Sequence, residues 1–260
     1  MAFGWALVLG AIAFSILLFL WLTHSNGGKP ASTDSLFVYC AAGVKAPVDA
    51  AARAFEKEHG VSVQLTYGPS QTLLANIALT ERGDLYIPAD DSYLELARQK
   101  NLIRTTIPLA EMMAVLAFKG ERPINSLQDL RGMTLAQADP ELAAIAKLMR
   151  EKLSDSDWQM LKGQTIVFKA SVTEVANDVK LGAVQGGFIW DAMAQQYPEL
   201  KLVHLPELKA VKGKIAVSVL NCSRQAALAL RFAQFLATKD KGLREFEKNG
   251  FQILAGERFF

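Results

Sequence analysis

The spacing of apolar residues switches period many times along this chain, and each switch marks a new element. Leu36 to Cys40 is an unbroken run with the length of a buried strand. Pro47 then stands at a first helical position, and Val48, Ala51, Ala52 and Phe55 follow at helical spacing up to a stop at Gly60. Val61, Val63, Leu65 and Tyr67 alternate with Ser62, Gln64 and Thr66, the period of a strand. A second helix is expected from Ser70 through Leu73, Leu74 and Ile77, then a strand at Leu85–Ile87, a helix from Tyr93 to Gln99, and an apolar run from Met112 to Phe118. The alternation resumes with a strand at Met133–Ala136, a helix from Glu141 to Lys152, a strand at Ile166–Phe168, a helix after Ser171 and a strand at Gly187–Trp190. Ile215 to Leu220 opens the last section, where Ala226, Leu230, Ala233 and Ala237 share one helical face. Strands that alternate with helices in this way predict an α/β body of βα units with mainly parallel sheets.

The N-terminus follows a different rule. Residues 3–22 carry no charge and have Trp5 and Trp21 near their ends, enough apolar length for one membrane-spanning helix. A cleavable signal peptide is the competing reading. The missing basic leader, the long apolar stretch and the lack of a small-residue cleavage site weigh toward an uncleaved anchor over residues 1–24. Only Lys29 follows closely, so charge bias gives little guidance on orientation. Residues 25–35 are polar and rich in Gly and Ser, the composition of a flexible linker.

Composition then removes whole classes of function. Lys and Arg total 28 against 26 for Asp and Glu, a balance without the basic footprint that nucleic acid requires. His24, His59 and His204 lie in the linker, at a helix end and in an expected strand, so no metal site or catalytic triad is indicated. A phosphate-cradling Gly-rich loop is missing, and no cofactor or enzymatic activity is expected. Cys40 and Cys222 are too few for a disulfide framework, and the sequence leaves open whether they pair.

Several stretches carry a resemblance. Tyr67-Gly-Pro-Ser-Gln-Thr-Leu-Leu-Ala-Asn-Ile77, followed by Gly83-Asp-Leu-Tyr-Ile-Pro-Ala-Asp90, resembles the molybdate- and tungstate-binding proteins of ABC transporters. Phe37 to Gly43, Ala138-Asp-Pro-Glu141, Gly182 to Trp190 and Asn249-Gly-Phe251 agree with that family in order and spacing, so the likeness spans residues 36–255. It implies a type II periplasmic binding protein fold, with a ligand between two lobes. The first lobe would be residues 36–110 with 213–260, and the second residues 111–212. It further implies a small oxyanion ligand, a membrane permease as partner, and a monomer whose body lies outside the cytoplasm.

An oxyanion can be held without a full positive charge, because helix N-termini present free N–H groups and a favourable dipole. In the first lobe, the helix starts at Ala42-Gly43 and Ser70-Gln71 are the candidate positions. Ser70 matches a hydroxyl donor of the family, and it is equally an N-cap for its helix. In the second lobe the family positions fall on Ile145, the amide of Val172, and Trp190. Ser171-Val-Thr-Glu174 is a capping-box pattern that would fix the helix start presenting Val172.

The departures from the family bear on the ligand. Gly43 and Pro88 stand where the family has Ser, Trp190 where it has Tyr, and Gln185 where Asp is common, which puts the identity of the anion in question. Asp191 sits beside this site. A carboxylate about 4 Å from a monoanion would cost roughly 4 kcal/mol at an effective dielectric near 20, so an anion site cannot admit it. The expectation is that Asp191 instead caps a helix over Ala192–Tyr197; if it faced the cleft, a cationic ligand would be favoured. One rival function remains open, a sensory domain reporting ligand to a membrane partner; the lack of clustered Arg and Lys in the Gly- and Ser-containing loops, and the anchor, count against a tetrapyrrole-assembling transferase with a cofactor-bearing Cys.

Overall fold

The first described strand forms on the continuous apolar run that begins at Leu36. β1 (Ser35–Ala41) lies between β2 (Ser62–Gly68) and β3 (Leu85–Ile87), parallel to both, in a computed structural model that describes residues 35–254. The anchor expected over residues 1–24 and the linker expected over residues 25–35 lie outside the described residues except for Ser35, which begins β1 instead; among the described residues no helix is long and apolar enough to cross a membrane. After β1, a short 3-10 turn (Ala42–Val44) runs into α1 (Lys45–His59), which ends at Gly60 in the left-handed conformation that glycine adopts freely. Pro47 is the third residue of this helix and not the first as its spacing predicts, because α1 already begins at Lys45. α2 (Ser70–Thr80) follows β2, and α3 (Ser92–Gln99) follows β3.

The chain then enters β4 (Ile103–Phe118), a 16-residue strand that takes part in both halves of the molecule. Its early residues pair with β9, and Ala114 to Phe118 pair with β7. Beyond it come β5 (Leu135–Ala138), α4 (Ala144–Lys152), α5 (Asp155–Gln164), β6 (Thr165–Lys169), α6 (Val172–Leu181), β7 (Gly186–Trp190) and β8 (Lys201–Val203). β9 (Lys212–Leu220) returns alongside β4, and α7 (Ala226–Leu236), α8 (Arg244–Lys248) and β10 (Gln252–Ile253) complete the described chain.

The strand order is β2-β1-β3-β9-β4-β7-β5-β6, with β8 and β10 also on β4. β5 lies parallel to both β6 and β7, but β9 is antiparallel to β3 and β4, and β4 is antiparallel to β7, β8 and β10. The sheets are therefore mixed, where βα alternation alone predicts mainly parallel ones. Two long strands that carry the chain from one half to the other and back must run in opposite directions, and this produces the antiparallel centre.

Apolar burial follows the expected faces. Val48, Ala51, Ala52 and Phe55 of α1 are buried, and Phe55 stacks against Phe232 of α7 with ring centroids 4.9 Å apart. Fully burying side chains of this kind contributes about 1.5–3 kcal/mol each. α6 packs tightly on β7, because a Cβ on Gly187 would lie only 2.8 Å from the Ala136 carbonyl oxygen and would also overlap Val175. That contact sets where the start of α6, and hence Val172, meets the cleft. β6 is the exception: Ile166 and Phe168 on this edge strand are 62% and 41% exposed.

Candidate functional site

At the C-terminal ends of β1, β2 and β3 the chain turns into helices whose first amides have no intrahelical partner. The corresponding turns of the other half face them, and a cavity of about 270 Å³, open solvent at its mouth included, lies between. One wall is Ala41, Ala42, Gly43, Gly68, Pro69, Ser70 and Ala89; the other is Ala143, Ala144, Ile145, Ser171, Val172 and Trp190. The lining includes no Asp, Glu, Lys, Arg or His.

The sequence-derived positions Ala42, Gly43, Ser70, Ile145, Val172 and Trp190 thus come together around one space. Gln71 does not join them. Its amide donates to the Leu142 carbonyl at 3.2 Å, a bond that ties the two walls together and uses the donor a ligand would need. Ala143, Gly68, Pro69 and Ala89 line the space without having been singled out, since backbone donors beside small residues leave no side-chain signature.

Ser70 is 2% exposed and held from two directions. The Tyr86 hydroxyl donates to its carbonyl at 2.8 Å, and its Oγ accepts from the Ala89 amide at 3.1 Å. The oxygen being engaged as an acceptor, the hydroxyl proton is left to donate. Ser70 is the first residue of α2 and Pro69 holds the cap position, so Ser70 is not the N-cap. Ser171 behaves differently. Its Oγ accepts from the Glu174 amide, the N-cap bond the sequence predicts, and donates to Glu174 Oε1 at 2.9 Å in place of the reciprocal backbone bond of a capping box. α4 begins at Ala144, three residues later than the expected Glu141, because Leu142 and Ala143 first form a turn on the Asp139 carbonyl. Its cap, Ala143, has no side-chain bond, so the amides of the first turn stay available at the cavity.

Trp190 ends β7 and is 1% exposed. Its indole lies across the cleft against the other wall, with Cδ1 2.9 Å and Nε1 3.2 Å from where a Cβ on Gly43 would sit.

Asp191 takes no part in the lining. Its Oδ1 accepts from the Met113 amide at 2.9 Å and from Ala192 at 2.8 Å, which turns it toward β4. It opens a 3-10 helix over Asp191–Gln196, so the expected cap of an α-helix at Ala192–Tyr197 is corrected to a first-turn position. Burial raises its carboxyl above the usual range, and the two amides oppose that rise. Asp90 is also buried, with Oδ1 accepting from the Ser92 amide, and does not line the cavity. The carboxylates beside the site are thus occupied by backbone N–H groups elsewhere.

Further contacts cross the cleft. Lys147 of α4 donates from Nζ to Ser92 Oγ at 2.9 Å and lies 4.8 Å from the centroid of the Tyr93 ring. Away from it, Cys40 and Cys222 are both free thiols, and burial drives the Cys40 thiol far up. Among the described residues no group of three or more His, Cys, Asp or Glu is placed to hold a metal ion.

Comparison with known proteins accords with this architecture. Residues 36–252 match the model of the bacterial extracellular solute-binding protein family. The chain is 27% identical over 243 residues to the molybdate-binding protein ModA of Escherichia coli, covering 87% of this chain and 92% of that protein. Its fold is similar to the periplasmic molybdate-binding protein of Azotobacter vinelandii, with a TM-score of 0.70, 18% identity, and coverage of 83% of this chain and 98% of that one. It is also similar to the sulfate-binding protein SubI of Mycobacterium tuberculosis, with a TM-score of 0.72, 15% identity, and coverage of 86% and 88%. These relatives are binding proteins, not enzymes. The chain is a member of the bacterial extracellular solute-binding protein family, with the α/β periplasmic binding protein fold.

Proposed function

We propose that this chain captures a small tetrahedral oxyanion of the molybdate or tungstate kind and delivers it to the permease of an ABC transporter. The observation that carries the reading is a cavity walled by uncharged N–H and O–H donors from both halves, with the neighbouring carboxylates turned away. An anion there meets helix N-termini and no repelling charge. In this reading the ligand groups are the amides near Ala42 and Gly43, the Ser70 hydroxyl, the amides near Ile145 and Val172, and the Trp190 indole N–H. Gln71 contributes by joining the walls through Leu142.

Binding then favours the closed state, because donors from both halves reach one anion only when the lobes at 36–110 with 213–260 and at 111–212 approach. A ligand with equal affinity for open and closed forms would shift nothing. The likeness to ModA supports the transport role. The uncharged run at residues 3–22 supports a single-pass anchor that holds a monomeric extracytoplasmic body close to its permease.

Titration calorimetry of the full-length chain against molybdate, tungstate, sulfate and phosphate tests the ligand. Heat with at least one of them is expected, and none with any rejects the oxyanion assignment. For the anchor, the full-length protein should stay with the membrane pellet after alkaline washing; recovery of a shortened soluble chain would reject it.

A further inference from the structure

β1 begins at the end of its half that lies away from the cavity, since Ala41 closes the strand at the lining and Ser35 opens it. At about 3.3 Å per residue, the two stand about 20 Å apart. Three segments meet around this cleft-distal end: residues 81–84 after α2, 100–104 after α3 and 221–225 after β9. Arg104 Nη2 donates to the Asn221 carbonyl at 2.5 Å, Asn221 Nδ2 to the Asn101 carbonyl at 2.7 Å, and Gln225 Nε2 to the Ser35 carbonyl at 2.7 Å. The segments carry Arg82, Lys100, Arg104 and Arg224, all exposed, against one exposed carboxylate, Glu81. Asp84 is buried, its oxygens accepting from the Phe37 amide and the Ser223 hydroxyl. Among the described residues Arg82, Lys100 and Arg224 form no ion pair. The whole chain carries a formal charge of only +2, so positive charge is gathered at this end and not spread evenly. Arg82 and Arg224 line one groove of about 640 Å³, open solvent included, and Leu79 in the last turn of α2, two residues before Glu81 of that groove, is 84% exposed.

We propose that this cleft-distal face of the first half is a docking surface for anionic membrane headgroups. Guanidinium groups match phosphodiester oxygens in geometry and charge, and each cation close to an anionic bilayer adds to the attraction. An exposed leucine among cations is placed to bury itself at the headgroup boundary. Where the outlying chain joins the body is the second reason: the 34 residues before Ser35 connect at this face, through a residue whose carbonyl Gln225 holds. The inference rests on the anchor reading for the nearness of a membrane and goes beyond it, because an anchor alone does not select a face. Docked in this way, the body keeps its cavity about 20 Å from the face that touches lipid, open to incoming solute. It is a resting position, and delivery requires the body to leave the lipid and present its cleft.

The test uses the full-length chain in vesicles of phosphatidylcholine alone and of phosphatidylcholine mixed with phosphatidylglycerol. Cys222 lies in the groove with Arg82 and Arg224 and is half-buried, whereas Cys40 is fully buried, so alkylation by an uncharged polyethylene-glycol maleimide reports on this face. At low ionic strength, labelling should be at least about fivefold slower on the anionic vesicles than on the neutral ones. At about 1 M salt, where the screening length is about 3 Å, the difference should vanish. Arg82→Glu with Arg224→Glu should label within about twofold on both lipids, whereas Lys152→Glu with Lys209→Glu, exposed cations of the other half, should keep the protection. Circular dichroism and an unchanged rate on neutral vesicles identify variants that fold, and Arg82→Gln with Arg224→Gln carries the test if the charge reversal does not. Equal labelling of wild type on the two lipids, protection that survives high salt, or protection indifferent to the paired Arg change overturns the docking face. Those outcomes leave the anchor standing while the chain stays with both kinds of vesicle after alkaline washing. A chain that washes off both loses the anchor; sedimenting, unwashed and at low salt, with anionic vesicles alone keeps the docking face, and sedimenting with neither overturns it as well.

Discussion

The two walls of the cleft carry one serine each, and the two are used in opposite ways. Ser70 spends its lone pair on the Ala89 amide and keeps its proton for the cavity, whereas Ser171 commits both functions to Glu174. The first wall thus offers a hydroxyl. The second offers helix amides and an indole. The difference shows that lining a cavity and donating into it are separate properties, because a hydroxyl already engaged in capping stabilises a helix start without serving a ligand.

Ser70→Ala gives the largest expected effect on this contrast. Losing a hydrogen bond to an anion costs about 1.5–3 kcal/mol, a drop in affinity of roughly 10- to 150-fold by calorimetry. If Ser70→Ala binds like wild type, the first wall has no special donor and the contrast fails. Asp191→Ala comes next, on stability. It strips the acceptor from the Met113 and Ala192 amides, so chemical denaturation should show a loss of about 2 kcal/mol. Ser171→Ala should cost about 1 kcal/mol of stability, as lost caps do, while changing oxyanion affinity less than about threefold; a loss as large as that of Ser70→Ala would make the walls alike.

A smaller effect is expected from Lys147→Met, which removes the bond to Ser92 across the cleft. A half-buried hydrogen bond contributes a net of about 0.5 kcal/mol at the low end, so affinity should fall about twofold, by faster release. The subtlest is Asp191→Asn, which keeps an acceptor and drops the charge. Burial raises the folded carboxyl, so the native state holds this proton more tightly than the unfolded chain does. The stability it contributes is complete below the unfolded pKa and is lost as pH rises through the folded one. Wild type should thus lose stability across a window just above the ordinary aspartate range, and Asp191→Asn should lack that slope with affinity unchanged.

Much of the fold was legible because burial and period agree. Val61 to Tyr67 alternates and forms β2, and Ser171 with Glu174 announces the start of α6. The early part of β4 was not legible: Arg104, Thr105, Thr106 and Pro108 interrupt any apolar pattern, and the strand exists because β9 pairs with its backbone. α5 was missed for a related reason, having only Leu161 fully buried, although Ser154 accepting from the Asp157 amide is a cap that its residue types advertise. The run at Ile166 and Phe168 gives the right strand but not its exposure, since periodicity cannot tell a covered face from an open edge. At the cavity, glycine and alanine turns were visible as helix starts, but which amides remain free depends on long-range partners such as Leu142 with Gln71.

β4 runs unbroken from one half into the other, and its register against β9 slips on either side of the Thr106–Pro108 stretch, between Ile103 and Thr106 and again between Pro108 and Ala110. A jaw mounted on slack loops could swing through many angles. One mounted on a paired ribbon behaves as a flat spring, bending where rungs are already missing and resisting twist everywhere else. If the halves open and close as proposed, such a ribbon would confine the stroke to a narrow path, and each return would bring the same atoms face to face.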